Sequence, residues 1–161
     1  MIYYKGAYVL QMLRGVMWDA SQKNPDARFI TMMRDFVSTY TGKNASTEDF
    51  RRVVEKHLGL PMDWFFNEWV YGTEIPHYDF SYQLKDEPGG KTILQMSIAQ
   101  SGVSSQFFME VPIDVVINGQ PRRLGAVKLV GSTSFNSGIP LGFRPEKVMI
   151  DESRVLCTVR Q

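Results

Sequence analysis

At 161 residues the chain has room for one domain or two small ones, and 43% hydrophobic with 22% charged residues is an ordinary globular composition. A net charge of +1, with the doublets Arg51-Arg52 and Arg122-Arg123 as the only basic pairs, excludes the footprint of a nucleic-acid or anionic-membrane binder. The single Cys157 excludes an internal disulfide, no apolar stretch is long enough to span a membrane, and the first residues lack the pattern of a signal peptide.

Residues 1–75 read as about four helices. The first runs from Lys5 to Trp18, where Ala7, Tyr8, Val9, Leu10, Leu13, Val16 and Met17 make it apolar around most of its circumference. Such a helix is normally buried on several sides, so it is expected to lack a partner here and to self-associate through Val9, Met12, Val16 or their neighbours. The second follows Asn24-Pro25, with Asp26 near its positive end. Phe29, Met33, Phe36 and Tyr40 face inward, Ile30 and Val37 lie beside them, and Thr41-Gly42 ends it. The third starts on a Ser46 or Thr47 cap with Glu48 and Asp49 in its first turn. It turns Phe50, Val53, Val54, His57 and Leu58 inward and stops at Gly59 and Pro61. The fourth covers Met62 to Tyr71, carries Trp64, Phe65, Phe66 and Trp69 as core, and is capped by Gly72.

From residue 76 the period changes to two. Tyr78, Phe80, Tyr82 and Leu84 alternate with polar neighbours up to the turn Asp86-Glu87-Pro88-Gly89-Gly90. Leu94, Met96 and Ile98 share one face of the next strand. Met109, Val111, Ile113, Val115 and Ile117 alternate up to Asn118-Gly119, a hairpin signal, and the return strand is Arg122 to Val130. Two last strands lie at Val148 to Ile150 and Val155 to Val159, joined by Asp151-Glu152-Ser153. The pattern predicts an α+β chain: a helical bundle segment over 1–75, then an antiparallel, immunoglobulin-like β-sandwich of six or seven strands over 76–161.

The residues carry no self-contained active site. His57 and His77 lie on different elements, and neither belongs to an H-E-x-x-H pair. There is no phosphate-cradling glycine loop and no G-x-S-x-G elbow. Glu48-Asp49 and Asp86-Glu87 are explained by a helix start and a turn. Cys157, in an apolar alternation, reads as a buried structural thiol.

Tyr3-Tyr4-Lys5-Gly6, opening an apolar helix, resembles the Tyr-x-Lys-Gly segment of the gluzincin zinc aminopeptidases, the alanyl-aminopeptidase and leukotriene-hydrolase type. Asn44 to Phe50 resembles a helix cap of that family. Phe66-Asn67-Glu68-Trp69, followed by Gly72 and Pro76, resembles the close of its catalytic domain. Val111-Pro112-Ile113 and Val148 to Asp151 are similar to strands of its following sandwich. The resemblance spans essentially the whole chain. It implies a parent enzyme that removes N-terminal residues from peptide substrates with a zinc held by His, His and Glu, and in which Tyr3 is catalytic, its hydroxyl donating to the developing oxyanion. The zinc ligands, the general base and the substrate grip lie upstream in the family. The chain is therefore expected to be a fragment that binds no zinc or other cofactor, is inactive alone, and is completed by the missing N-terminal part of the catalytic domain. The competing expectation is a non-catalytic β-sandwich binding or assembly module with a helical cap.

Overall fold

The computed structural model describes residues 2–150 and 154–161, with side chains from residue 4 onward. The chain is α+β and divides into two compact units, Met1–Thr73 and Glu74–Gln161.

The first unit holds helices α1 (Ile2–Val16), α2 (Ala27–Tyr40), α3 (Thr47–Leu58) and the single turn α4 (Asp63–Phe65), which continues into a π-helical segment, Phe66–Tyr71. An unbroken helix over 62–71 was the expectation from sequence. Met62, Phe65, Phe66 and Trp69 are all buried, at the spacing of one helical face, and the wider turn preserves that face. Side-chain periodicity therefore does not register the change in backbone bonding. Phe65, Phe66 and Trp69 are core, as expected, whereas Trp64 is only half-buried. Phe36 of α2 meets Phe50 of α3 edge-on at 5.0 Å, Phe50 meets Phe66 at 6.2 Å, and Phe66 meets Phe65 at 5.9 Å.

The caps follow the residues that flank each helix. Ser46 begins α3 with a reciprocal box: its hydroxyl accepts from the Asp49 N–H at 3.1 Å while the Asp49 carboxylate accepts from the Ser46 N–H at 2.8 Å. Gly59 closes α3 at φ 74°, a left-handed cap that lacks a Cβ penalty only in glycine. Asp26 stands at the start of α2 but caps nothing through its side chain; its carboxylate accepts from Arg14 Nε at 2.8 Å instead. Two face assignments need correction. In α2 the fully buried residue is Met32, while Ile30 and Val37 are exposed. In α1, Met12 and Leu13 are buried, as is Met17 just beyond its end, and Val9 and Val16 are half-buried, so Met12 is not available for self-association; the exposed apolar residues of α1 from residue 4 onward are Tyr4, Ala7 and Leu10.

Among its described residues the second unit holds seven strands: β1 (His77–Glu87), β2 (Lys91–Ser101), β3 (Phe108–Ile117), β4 (Gln120–Val130), β5 (Thr133–Leu141), β6 (Lys147–Met149) and β7 (Thr158–Arg160). They form two sheets, ordered β5-β2-β1-β7 and β4-β3-β6. All pairs are antiparallel except β1 with β7, which is parallel. Alternate residues are buried on one face of each sheet: Tyr78 and Phe80; Leu94, Met96 and Ile98; Met109, Val111, Ile113 and Val115; Val127 and Leu129. Asn118 and Gly119 take φ 52° and 70°, the geometry of the tight hairpin their sequence predicts.

The sequence pattern passes over β5, which contains Ser134, Asn136, Ser137, Gly138 and Pro140. Nine residues of ladder with β2 override its poor strand propensity. The last strand is shorter than the expected Val155 to Val159: Val155 is buried in a loop, and the ladder involves residues 158–160. Cys157 precedes it and is half-buried rather than buried. The proposed link Asp151-Glu152-Ser153 lies outside the described residues.

Arg123 is not on a solvated face. It donates from Nε at 2.9 Å to Asp114, a carboxylate only 1% exposed on β3 just after a β-bulge. Arg154 approaches the other oxygen at 4.0 Å. Removing one member of such a buried pair leaves an uncompensated charge, so Arg123→Ala is expected to cost about 3 kcal/mol in denaturant unfolding. Ser46→Ala, which removes one half of the capping box, is expected to cost about 1 kcal/mol in the same measurement.

Candidate functional site

Position 3 lies in the first turn of α1, and the Tyr3 side chain lies outside the described residues. What surrounds that turn is set by Lys5. Its Nζ donates to the Gly72 carbonyl at 2.6 Å, joining the start of α1 to the end of the π-helical segment across 67 positions of sequence. The contact satisfies a carbonyl that the segment's own hydrogen bonding leaves open, and places a cation at the negative end of its dipole. Gly72 stands at the expected cap position, but not for a left-handed conformation: its φ is −76°. Space decides it, since a Cβ there would lie 2.5 Å from the Glu68 carbonyl oxygen and 2.9 Å from that of Asn67.

A second polar cluster ties α2 to α3. Asp35 Oδ2 receives Lys56 Nζ at 2.8 Å and lies 2.8 Å from His57 Nε2. The Lys56 contact first, then the His57 contact, holds the Asp35 carboxyl at about 2, well below the usual carboxylate range. Beside it Arg51 bridges Glu48, Glu55 and Asp63, and the Tyr71 hydroxyl donates to Glu48 at 3.1 Å. Asp49 is depressed further, by the Ser46 N–H and then by its hydroxyl. These groups act as inter-helix ties. The carboxylate that could orient His57 as a base already serves a lysine on the same oxygen.

His77 opens β1. Its Nδ1 lies 2.7 Å from the Thr158 hydroxyl of β7, and its Nε2 is 3.6 Å from Asp79. Both histidines thus have structural partners. Among the described residues no group of three or more His, Cys, Asp or Glu side chains is arranged to hold a metal ion.

On the outer face of the β5-β2-β1 sheet a concavity of about 600 Å³ is lined by Ser81 and Gln83, Gln95 and Ser97, and Asn136 and Gly138. The register aligns them in rows, Ser81 beside Ser97 beside Asn136, and Gln83 beside Gln95 beside Gly138. Tyr82, Met96 and Ser137 complete the lining, which is uncharged and offers apolar as well as hydrogen-bonding surface. Nothing in linear sequence singled out this surface or Asp35, because the residues that meet there come from separate elements.

No model of a known protein family matches the chain, and no curated protein matches it.

The tie between α2 and α3 has a pH signature. Because the folded Asp35 carboxyl titrates below the ordinary value of about 3.9, its stabilisation is complete above that value and is lost as pH falls toward about 2. Carboxyl-detected NMR titration is expected to show this midpoint in the native chain, and Lys56→Ala should move it upward.

Proposed function

We propose that this chain is the later part of a gluzincin zinc aminopeptidase: the C-terminal helical part of the catalytic domain over residues 1–75, then an immunoglobulin-like β-sandwich over 76–161. On this reading the Tyr3 hydroxyl donates to the oxyanion that develops on a peptide substrate. The metal, the general base and the grip on the substrate's amino terminus belong to the N-terminal part of the catalytic domain.

The observation that carries the reading is the bond from Lys5 to Gly72. The opening and closing motifs of the resemblance, far apart in sequence, are held together by the Lys of one and the Gly of the other. The glycine is required there by a close backbone approach. Such an arrangement ties the first turn of α1, which contains position 3, to the end of the π-helical segment, and an oxyanion donor needs preorganisation of that kind. The outward stripe Tyr4, Ala7 and Leu10, with Tyr4 79% and Leu10 37% exposed, is the surface that the rest of a catalytic domain would cover. A second reading, a non-catalytic binding or assembly module, is favoured by the uncharged concavity on the outer sheet face.

Assay of the purified chain with aminoacyl-nitroanilides in the presence of zinc is expected to show no turnover and no stoichiometric metal. Zinc binding with turnover would sink the fragment reading. In the whole enzyme, Tyr3→Phe is expected to lower kcat about 100- to 1,000-fold with KM little changed. A reading frame with no H-E-x-x-H and later Glu ahead of Tyr3 would instead leave the module.

A further inference from the structure

The two sheets have four edge strands, β5 and β7 in one and β4 and β6 in the other. An edge exposes a row of unpaired N–H and C=O groups, and proteins blunt it with charge, proline, bulges or shortness. β6 and β7 are three residues each. β4 carries Pro121, Arg122, Arg123 and Lys128, and its ladder is broken by a bulge. β5 differs. Its nine residues contain no charged side chain. All nine pair with β2, and among the described residues its backbone makes no hydrogen bond outside that ladder.

Pro140 is the single guard, and it also sets the phase. Proline is tolerated in an edge strand where its missing N–H faces away from the neighbouring strand. Residues 134, 136 and 138 share that phase, so the N–H and C=O of Ser134, Asn136 and Gly138 point to the open side. The alternate set carries the apolar side chains, and Phe135 is 37% exposed.

We propose that the open edge of β5 pairs antiparallel with β5 of a second copy of this chain, about a two-fold axis at Ser137. In that register Phe135 lies opposite Ile139 of the second copy, and Asn136 lies opposite Gly138. Asn136 and Gly138 exchange both backbone bonds. The Ser134 N–H of each copy donates to the Pro140 carbonyl of the other, and the only bonds forfeited are the two that the prolines cannot return. An aromatic opposite a β-branched residue is a favourable cross-strand pair, and no like charges meet. The contact is isologous and closes at two subunits, with the continuous strand order β7-β1-β2-β5-β5-β2-β1-β7. The self-complementary pattern is what commits the edge to a second copy rather than to an unrelated extended peptide.

Sedimentation of the full chain over a concentration series tests the proposal. A dimer is expected, and Asn136→Lys, an exposed outward position beside its own symmetry mate, should weaken it roughly tenfold while leaving the thermal unfolding of the dilute chain unchanged. In a Cys157→Ala background, Ser137→Cys should oxidise to a linked dimer, because position 137 faces itself. Asn136→Cys, facing Gly138, should not. A monomer at every concentration, a dimer indifferent to Asn136→Lys, or a dimer broken instead by Leu10→Lys on α1 would each overturn the proposal.

Discussion

Gln100 is 2% exposed in the middle of the second unit, and both ends of its amide are occupied. Its carbonyl accepts from the Tyr78 hydroxyl at 2.8 Å, and its NH₂ donates to the Gly131 carbonyl at 2.7 Å. A buried amide left unpaired is costly, so this short chain of bonds locks β1, β2 and the turn between β4 and β5 into one relation. Gly131 fits the turn at φ 62°, and a Cβ would stand 2.9 Å from the Ser105 carbonyl oxygen. The turn delivers β5 to the edge of the other sheet in register with β2. The outer concavity and the open edge both depend on that register.

The helical unit obeys the same rule with different means. Backbone groups at helix ends must be satisfied, and several of these ends use a side chain to do it. Lys5 reaches the Gly72 carbonyl, the Glu55 carboxylate accepts from the Met62 N–H at 2.9 Å, and Ser46 and Asp49 close α3 on themselves. The residues of the Tyr-Tyr-Lys-Gly opening therefore have an architectural use beside any catalytic one. The lysine fixes where the first turn of α1 sits relative to the end of the π-helical segment.

Charge is used sparingly and mostly as mortar. Asp35 serves Lys56 and His57 together, Arg51 serves three carboxylates, and Asp114 is buried against Arg123. Exposed pairs of this kind contribute little individually. Their worth lies in fixing which helix faces meet. The buried pair on β3 is of another kind, since its cost in desolvation ties the bulged strand to Arg123 of its neighbour.

Local chemistry was legible along the chain. Ser46 ahead of Glu48-Asp49 named a cap, Asn118-Gly119 named a hairpin, and the alternation from Met109 to Val115 named a strand and its inner face; each depends on interactions within a few residues. The helix-then-strand order followed from the change of hydrophobic period near residue 76. Only the tertiary structure decided the rest. Strand β5 exists because β2 offers it a ladder. The backbone widens after Phe65 while keeping the same buried face. Met32 rather than Val37 packs inward, and Asp35 meets His57 because two helices bring them together. Periodicity records which side chains share a face. It carries no record of which distant backbone, carboxylate or strand edge that face will meet.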